Sequence, residues 1–358
     1  MSELTFAQKM CRPEINALTP YQSARRIGGN GDVWINANES PNCNGMEMGI
    51  NRYPDPQPEP LLNRYASYAG VHPEQIIVGR GADEAIELLI RTFCTPYKDS
   101  VAFCSPTYGM YGISAQTCGV AINELQLEAD FSLPQDLATQ ASSSKLLFVC
   151  NPNNPTGTLL PKQELIDLCQ ALPNTLVVID EAYIDFCPEY SMVDEINKLQ
   201  NLVVLRTLSK AFALAGARVG FAIANVDIID CMLKVIAPYP VPVPIAKLAT
   251  KALSNVALDL MHNQLQQTLE QRQCLIDTLQ QLTICNQVWP SAGNFVLAQF
   301  SHPVEVFDAL SDSGIIARRY RTERLKNCIR FSIGSTPHMR RVRHTLATIN
   351  EQITGSSQ

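Results

Sequence analysis

The sequence contains no apolar run long enough to cross a membrane. Its opening residues, MSELTFAQKM, lack the apolar core of a secretory leader. The expected location is cytoplasmic. There is no basic excess either: 28 Lys and Arg stand against 34 Asp and Glu, a formal net charge of -6 with both signs mixed along the chain. That balance argues against a nucleic-acid binder, which shows a basic stripe or surplus. It leaves an anionic small molecule open as a substrate, because a few placed arginines outweigh a mildly negative surface. No C-x-x-C pair occurs among the 12 cysteines, and none of the 5 histidines stands at metal-ligand spacing, so no metal is expected. The cysteines fall in apolar runs such as SVAFCSP and LLFVCNP and read as small buried thiols of a reducing compartment. Neither G-x-x-x-x-G-K-[ST] nor G-x-G-x-x-G is present, which sets aside a nucleotide-binding protein.

What is present is the pattern of an α/β enzyme. The 358 residues suffice for one large core and a smaller second domain, and 46% hydrophobic with 17% charged residues is far from a disordered composition. From residue 76 onward, short β-branched runs alternate with helical patterns, as in parallel βαβ units. QIIVG (75–79), SVAFCS (100–105), KLLFVC (145–150), TLVVID (175–180) and NLVVLR (201–206) read as buried strands. EAIELLIRTF (84–93) reads as a helix, and ARVGFAIA (217–224) as a further strand whose glycine marks a close backbone approach. The prolines of KVIAPYPVPVPIAK (234–247) interrupt regular structure, and 255–282 has the pattern of a long amphipathic helix. These signals divide the chain into an arm at 1–30 that joins the small domain or a partner subunit, a large domain at 31–245 and a small α+β domain at 246–358. Residues 40–50 carry no motif.

Three consecutive strand patterns end in polar residues that a sheet core would reject. KLLFVC runs into NPNNPTG, TLVVID ends at Asp180, and NLVVLR runs into TLSKAF. Ligands of open parallel sheets bind beyond the carboxyl ends of the strands. Asn154, Asp180 and Lys210 are separated by one crossover unit each, so they are expected to converge on one crevice. Taken singly, each has an ordinary explanation. Asp180 suits a cap or a salt bridge as well as a partner for a cationic ring nitrogen. Most lysines are surface groups, although Lys210 opens an apolar stretch, where a lowered pKa would yield the neutral amine that imine formation requires. The GRGADEAIELLI segment places a glycine-rich turn at a helix entry suited to an anion, or Asp83 simply caps that helix. Ser209 and Arg218 bracket AFALAGA and could serve the same anion. In NCIRFSIG, Ile329, Phe331 and Ile333 share one strand face and Arg330 takes the other, either as a structural ion pair or as an anion ligand.

Together these residues carry a resemblance. DEAY (180–183), TLSK (207–210), RVGF (218–221) and NPTG (154–157) resemble the fold-type I pyridoxal-phosphate aminotransferases. LTPYQSARRIGGNGDVWINANE (18–39), NRYPDPQP (51–58) and KVIAPYP (234–240) resemble the histidinol-phosphate branch of that family, and the likeness covers nearly the whole chain. The resemblance implies pyridoxal 5'-phosphate bound as an imine by Lys210, which also shuttles a proton. It implies that Asp180 pairs with the pyridinium nitrogen, that Asn154 and Tyr183 bond the ring's phenolic oxygen, and that Tyr108 stacks on the ring. The backbone at Ala82 and Asp83, with Ser209 and Arg218, would hold the cofactor phosphate. Tyr53 would reach that phosphate from the neighbouring subunit of a homodimer. Arg330, Arg318 and Tyr21 would bind substrate, with Asn36 lining the site; the ARRYRTER segment leaves open whether Arg318 or Arg319 points inward. The implied reaction exchanges L-histidinol phosphate and 2-oxoglutarate for imidazole-acetol phosphate and L-glutamate. An aromatic-amino-acid aminotransferase, a phosphothreonine decarboxylase and a non-catalytic cofactor-binding regulator are the alternatives.

Overall fold

The computed structural model describes residues 4–24, 33–44 and 49–355. The RRIGGNGD segment and residues 45–48 of the motif-free stretch lie outside the described residues. Two sheets form the scaffold. The larger has seven strands in the order β1-β7-β6-β5-β4-β2-β3: β1 Ile76–Gly79, β2 Ser100–Ser105, β3 Ala121–Gln126, β4 Leu146–Cys150, β5 Leu176–Asp180, β6 Leu202–Thr207 and β7 Gly220–Ala224. Strands β2 to β6 pair in parallel, and only β7 runs against its neighbours β1 and β6. Helices cover both faces, so the central strands have no solvent side. Val177 and Ile179 of β5 enter the core on one face, while Leu176 and Val178 enter the core on the other. This two-sided burial is why these strands read as unbroken apolar runs rather than alternating ones.

The smaller sheet is antiparallel, in the order β10-β11-β9-β8, from β8 Cys285–Val288, β9 Phe295–Phe300, β10 Arg318–Arg319 and β11 Cys328–Ser332. Its strands do alternate. Ile329 and Phe331 of β11, with Val296, Ala298 and Phe300 of β9, pack beneath the helices Pro303–Asp312 and Thr336–Gly355. Phe295, Leu297 and Cys328 point the other way and join the core of the large sheet. Arg330, between Ile329 and Phe331, therefore faces the large sheet's end, as its parity predicts.

The two cores part within one helix, Asn255–Gln281. Met261 and Leu265 near its start belong to the large core, and Leu275 and Leu279 near its end to the small one. The described part of the N-terminal arm packs on the large domain of its own chain. The Phe6–Met10 helix buries Ala7 and Met10 against the large sheet's helical layer, where the Ala7 amide donates to Asp227 at 3.3 Å. The Arg12 amide donates to the Thr92 carbonyl at 3.1 Å, and Lys234 Nζ to the Asn16 carbonyl at 2.9 Å. All 12 cysteines are free thiols, and eight are buried within packed elements. Among the described residues, no helix is long and apolar enough to cross a membrane.

Candidate active site

A cavity of about 530 Å³ opens where the carboxyl ends of β4, β5 and β6 face the small sheet. Ala82, Asp83, Tyr108, Asn154, Asp180, Tyr183, Ser209, Lys210, Arg218, Arg318 and Arg330 all line it. Its walls carry four cationic side chains, Lys210, Arg218, Arg318 and Arg330, against two acids, Asp83 and Asp180, so the space favours an anion. Tyr21, Asn36 and Tyr53 do not line it within one chain. Tyr53 is half exposed and stacks on Tyr239 with ring centroids 4.6 Å apart. Tyr21 is 69% exposed beside Pro56 and Pro238, and Asn36 donates to the Ala24 carbonyl at 3.4 Å. Arg318 lines the cavity and Arg319 does not, because β10 pairs Arg318 with Arg330 on one side and Arg319 with Ile329 on the other.

At the end of β5, Asp180 is 2% exposed. Its Oδ2 accepts from the Tyr111 hydroxyl at 2.7 Å and its Oδ1 from the Ala182 amide at 3.1 Å. Burial outweighs both bonds and pushes the carboxyl up to about 6. A buried carboxylate without an ion pair among the described residues suits a cationic ligand in the adjoining space. Lys210 sits after β6 with Nζ 5.3 Å from the centre of the Tyr183 ring. Burial, and then the positive charge of Arg330, lower its pKa. The site therefore supplies a weakly solvated amine and a carboxylate across one small space.

The anion cradle lies at the other end of the cavity. The Ala82–Phe93 helix begins two residues earlier than its sequence pattern indicates, with Gly81 at the N-cap and no side chain capping it. Asp83 is not the cap. Its carboxylate instead accepts from Tyr108 at 2.8 Å and from Arg218 at 3.0 Å. The first-turn N–H groups thus keep their capacity for an anion. Two glycines make this geometry possible. A Cβ on Gly220 would stand 2.2 Å from the Ala82 nitrogen, and one on Gly81, at φ +88°, would stand 2.6 Å from the Arg218 guanidinium. Arg218 itself adopts left-handed backbone angles, φ 54° and ψ 56°, which non-glycine residues rarely hold outside constrained sites. Ser209 accepts from Thr207 at 2.9 Å at the same wall.

Facing the cradle from the small sheet, Arg330 donates to the side-chain carbonyl of Asn154 and lies over Phe295, 5.4 Å from the ring centre. Its Nε is buried without a hydrogen-bond partner among the described residues. Tyr183 meets Phe295 edge-on at 5.1 Å. The donor set fits pyridoxal phosphate at each of its polar groups: an acid for the ring nitrogen, an amide and a phenol for the ring oxygen, a helix start with Ser209 and Arg218 for the phosphate, and an amine for the aldehyde carbon.

Sequence reasoning passed over Tyr111, Thr107, Cys150 and Tyr320. Tyr320 shares the two-residue period of Arg318 and lies 5.9 Å from its guanidinium, a parity signal present in ARRYRTER. Tyr111 gives no such signal, because its contact with Asp180 spans 69 residues.

The family model for aminotransferase class I and II matches residues 28–347. A histidinol-phosphate aminotransferase of Shewanella oneidensis is 52% identical over 342 residues, covering 92% of this chain and 86% of its own length. One from Yersinia enterocolitica is 46% identical, covering 98% of this chain and 95% of its own length. Among solved structures, the histidinol-phosphate aminotransferase of Clostridium acetobutylicum aligns with a TM-score of 0.78 at 24% identity, covering 85% of this chain and 92% of that one. The Sinorhizobium meliloti enzyme, in complex with pyridoxal-5'-phosphate, aligns at 0.76 and 24% identity, covering 84% and 83%. Sequence, fold and cavity agree: the chain belongs to the class I and II aminotransferases and, within them, to the histidinol-phosphate aminotransferase family.

Proposed function

We propose that the cavity carries out transamination between L-histidinol phosphate and 2-oxoglutarate, giving imidazole-acetol phosphate and L-glutamate in histidine biosynthesis. The observation that carries this reading is the convergence of Lys210, Asp180 and three arginines on one space. Pyridoxal phosphate, when bound, supplies an electron sink for the carbon that bears the substrate's amine. Asp180 holds the proton-bearing ring nitrogen by charge. Asn154 and Tyr183 orient the ring through its oxygen, Tyr108 covers its face, and the Ala82–Asp83 backbone with Ser209 and Arg218 binds the phosphate. Lys210 Nζ takes the proton from the amine-bearing carbon, a role to which burial and the charge of Arg330, by lowering its pKa, suit it.

Arg330 and Arg318 bind the carboxylates of glutamate and 2-oxoglutarate in one half-reaction and the phosphate of histidinol phosphate in the other. Tyr21 and Asn36, which stand outside the cavity of one chain, contribute to substrate binding in the assembled enzyme. The working form is a homodimer in the cytoplasm, in which Tyr53 completes the phosphate site of its neighbour. The exposed position of Tyr53 and the twelve free thiols support this reading.

The test is a half-reaction spectrum of the cofactor-loaded protein with histidinol phosphate, phenylalanine or aspartate as amine donor, followed by addition of 2-oxoglutarate. Rapid loss of the cofactor band with histidinol phosphate, and glutamate formation afterwards, are expected. A response to phenylalanine alone would assign an aromatic aminotransferase instead, and carbon dioxide release from O-phosphothreonine would assign a decarboxylase.

A further inference from the structure

Any ligand of Asp180 meets a carboxylate already gripped from behind. Tyr111, on the Met110–Thr117 helix, is fully buried, and its ring lies flat on Phe148 with centroids 4.8 Å apart and planes 7° from parallel. Tyr108, one turn away, meets it edge-on at 5.7 Å. These two rings leave Tyr111 little rotational freedom, and its hydroxyl ends 2.7 Å from Asp180 Oδ2. With the Ala182 amide on Oδ1, each carboxylate oxygen has one fixed donor and the plane of the group is set.

The charged and titratable groups around Asp180 come from four elements. Lys210 after β6 favours the ionised acid, and Asp83 on the Ala82–Phe93 helix opposes it. Cys150 at the end of β4 is a buried thiol whose pKa is raised. Tyr111, from the helix packed behind, is itself held well above the usual phenol range by burial. It stays protonated and acts towards a carboxylate only as a donor. A donor of this kind stabilises the charged form of a buried acid.

We infer that Tyr111 is a positioning residue for the cofactor ring: its hydroxyl fixes the Asp180 carboxylate and keeps it ionised for a ring nitrogen arriving on the open side. This inference rests on the reading of the cavity as a pyridoxal-phosphate site. Tyr111→Phe keeps both ring contacts and deletes one oxygen. In the full-length chain freed of cofactor, the Asp180 carboxyl titration, followed by carbon-13 NMR of labelled aspartate, should move up by about one pH unit. At pH 5, below both titrations, pyridoxal phosphate should bind that variant about tenfold more weakly, and near pH 8 the two proteins should differ little. Placing 3-fluorotyrosine at position 111, a stronger donor of nearly the same size, should move the titration down.

An unmoved titration in these two proteins overturns the inference, and should the phenylalanine variant fail to fold, the fluorotyrosine protein decides alone. If pyridoxal phosphate binds neither the parent nor any variant, the cofactor reading fails instead, and the titration still decides what the hydroxyl does.

Discussion

Lys210 and Asp180 are both costly residues for a folded chain to hold, since each places an ionisable group where water is scarce. Lys210→Ala should retain cofactor through Asp180, Arg218 and Ser209 yet lose transamination by several orders of magnitude, measured as glutamate formation. A Lys210→Ala protein with near-normal turnover would falsify the assignment. Asp180 supplies a pH prediction. Its folded carboxyl stands at about 6 against an ordinary 3.8, so the folded chain holds this proton more tightly than the unfolded one does. On this group alone, the cofactor-free protein gains stability as pH falls from about 6 towards 3.8. Cofactor binding, which needs the carboxylate, should weaken over the same interval, and a fluorescence titration at pH 7.5 and 5 measures the loss. At this scale the placement of a residue on the cavity wall was legible where it followed a buried strand, as with Lys210 and Asp180, or where strand parity set its face, as with Arg330. Tyr111 was hidden because its contact is with a neighbour 69 positions away, and Asp83 could be read two ways because an acid near a helix start resembles a cap whether or not it caps.

Strands joined at their ends hold the site together. Glu181 follows β5 and Arg206 lies in β6; Arg206 Nε donates to Glu181 at 3.0 Å, and both side chains are almost wholly buried. Ser191 and the Met192 amide also donate to Glu181, at 2.9 and 2.6 Å. This pair fixes the strand ends that present Asp180 and Lys210. Arg206→Met should cost about 3–5 kcal/mol in urea unfolding, because it strands a buried carboxylate. Adding Glu181→Leu should recover most of that loss. Gly220→Ala forces a methyl group against the Ala82 nitrogen, where backbone on both sides must yield. It should destabilise the chain by about 1–3 kcal/mol and weaken cofactor binding together. The buried strands were readable from their apolar runs. The edge strand Ala121–Gln126 was not: AINELQ is half exposed and sets Asn123 beside Glu124, so it carries the signal of a loop as readily as that of a strand.

Across the whole molecule, the small sheet is fastened to the large one by apolar packing and by polar contacts. Arg324 supplies some of the latter. It donates to the Leu127 carbonyl at 2.6 Å and to the Glu128 carbonyl, and lies 4.9 Å from the Phe131 ring centre. Arg324→Ala should loosen the seating of Arg318 and Arg330 over the cavity. The expected result is a rise of several-fold in KM for both substrates with a smaller fall in kcat, and a stability loss of about 1–3 kcal/mol. If each site needs Tyr53 from its neighbour, mixing inactive Tyr53→Ala and Lys210→Ala chains should restore activity in the hybrid, and silence in the mixture would count against a shared site. The Asn255–Gln281 helix has a consequence for dissecting the chain. Because its first half walls one core and its second half walls the other, no loop offers a clean cut between them. A fragment starting at Leu282 would leave Val296, Ala298 and Phe300 without Leu275 and Leu279 above them, and should emerge from the ribosome as an insoluble remnant rather than a stand-alone module.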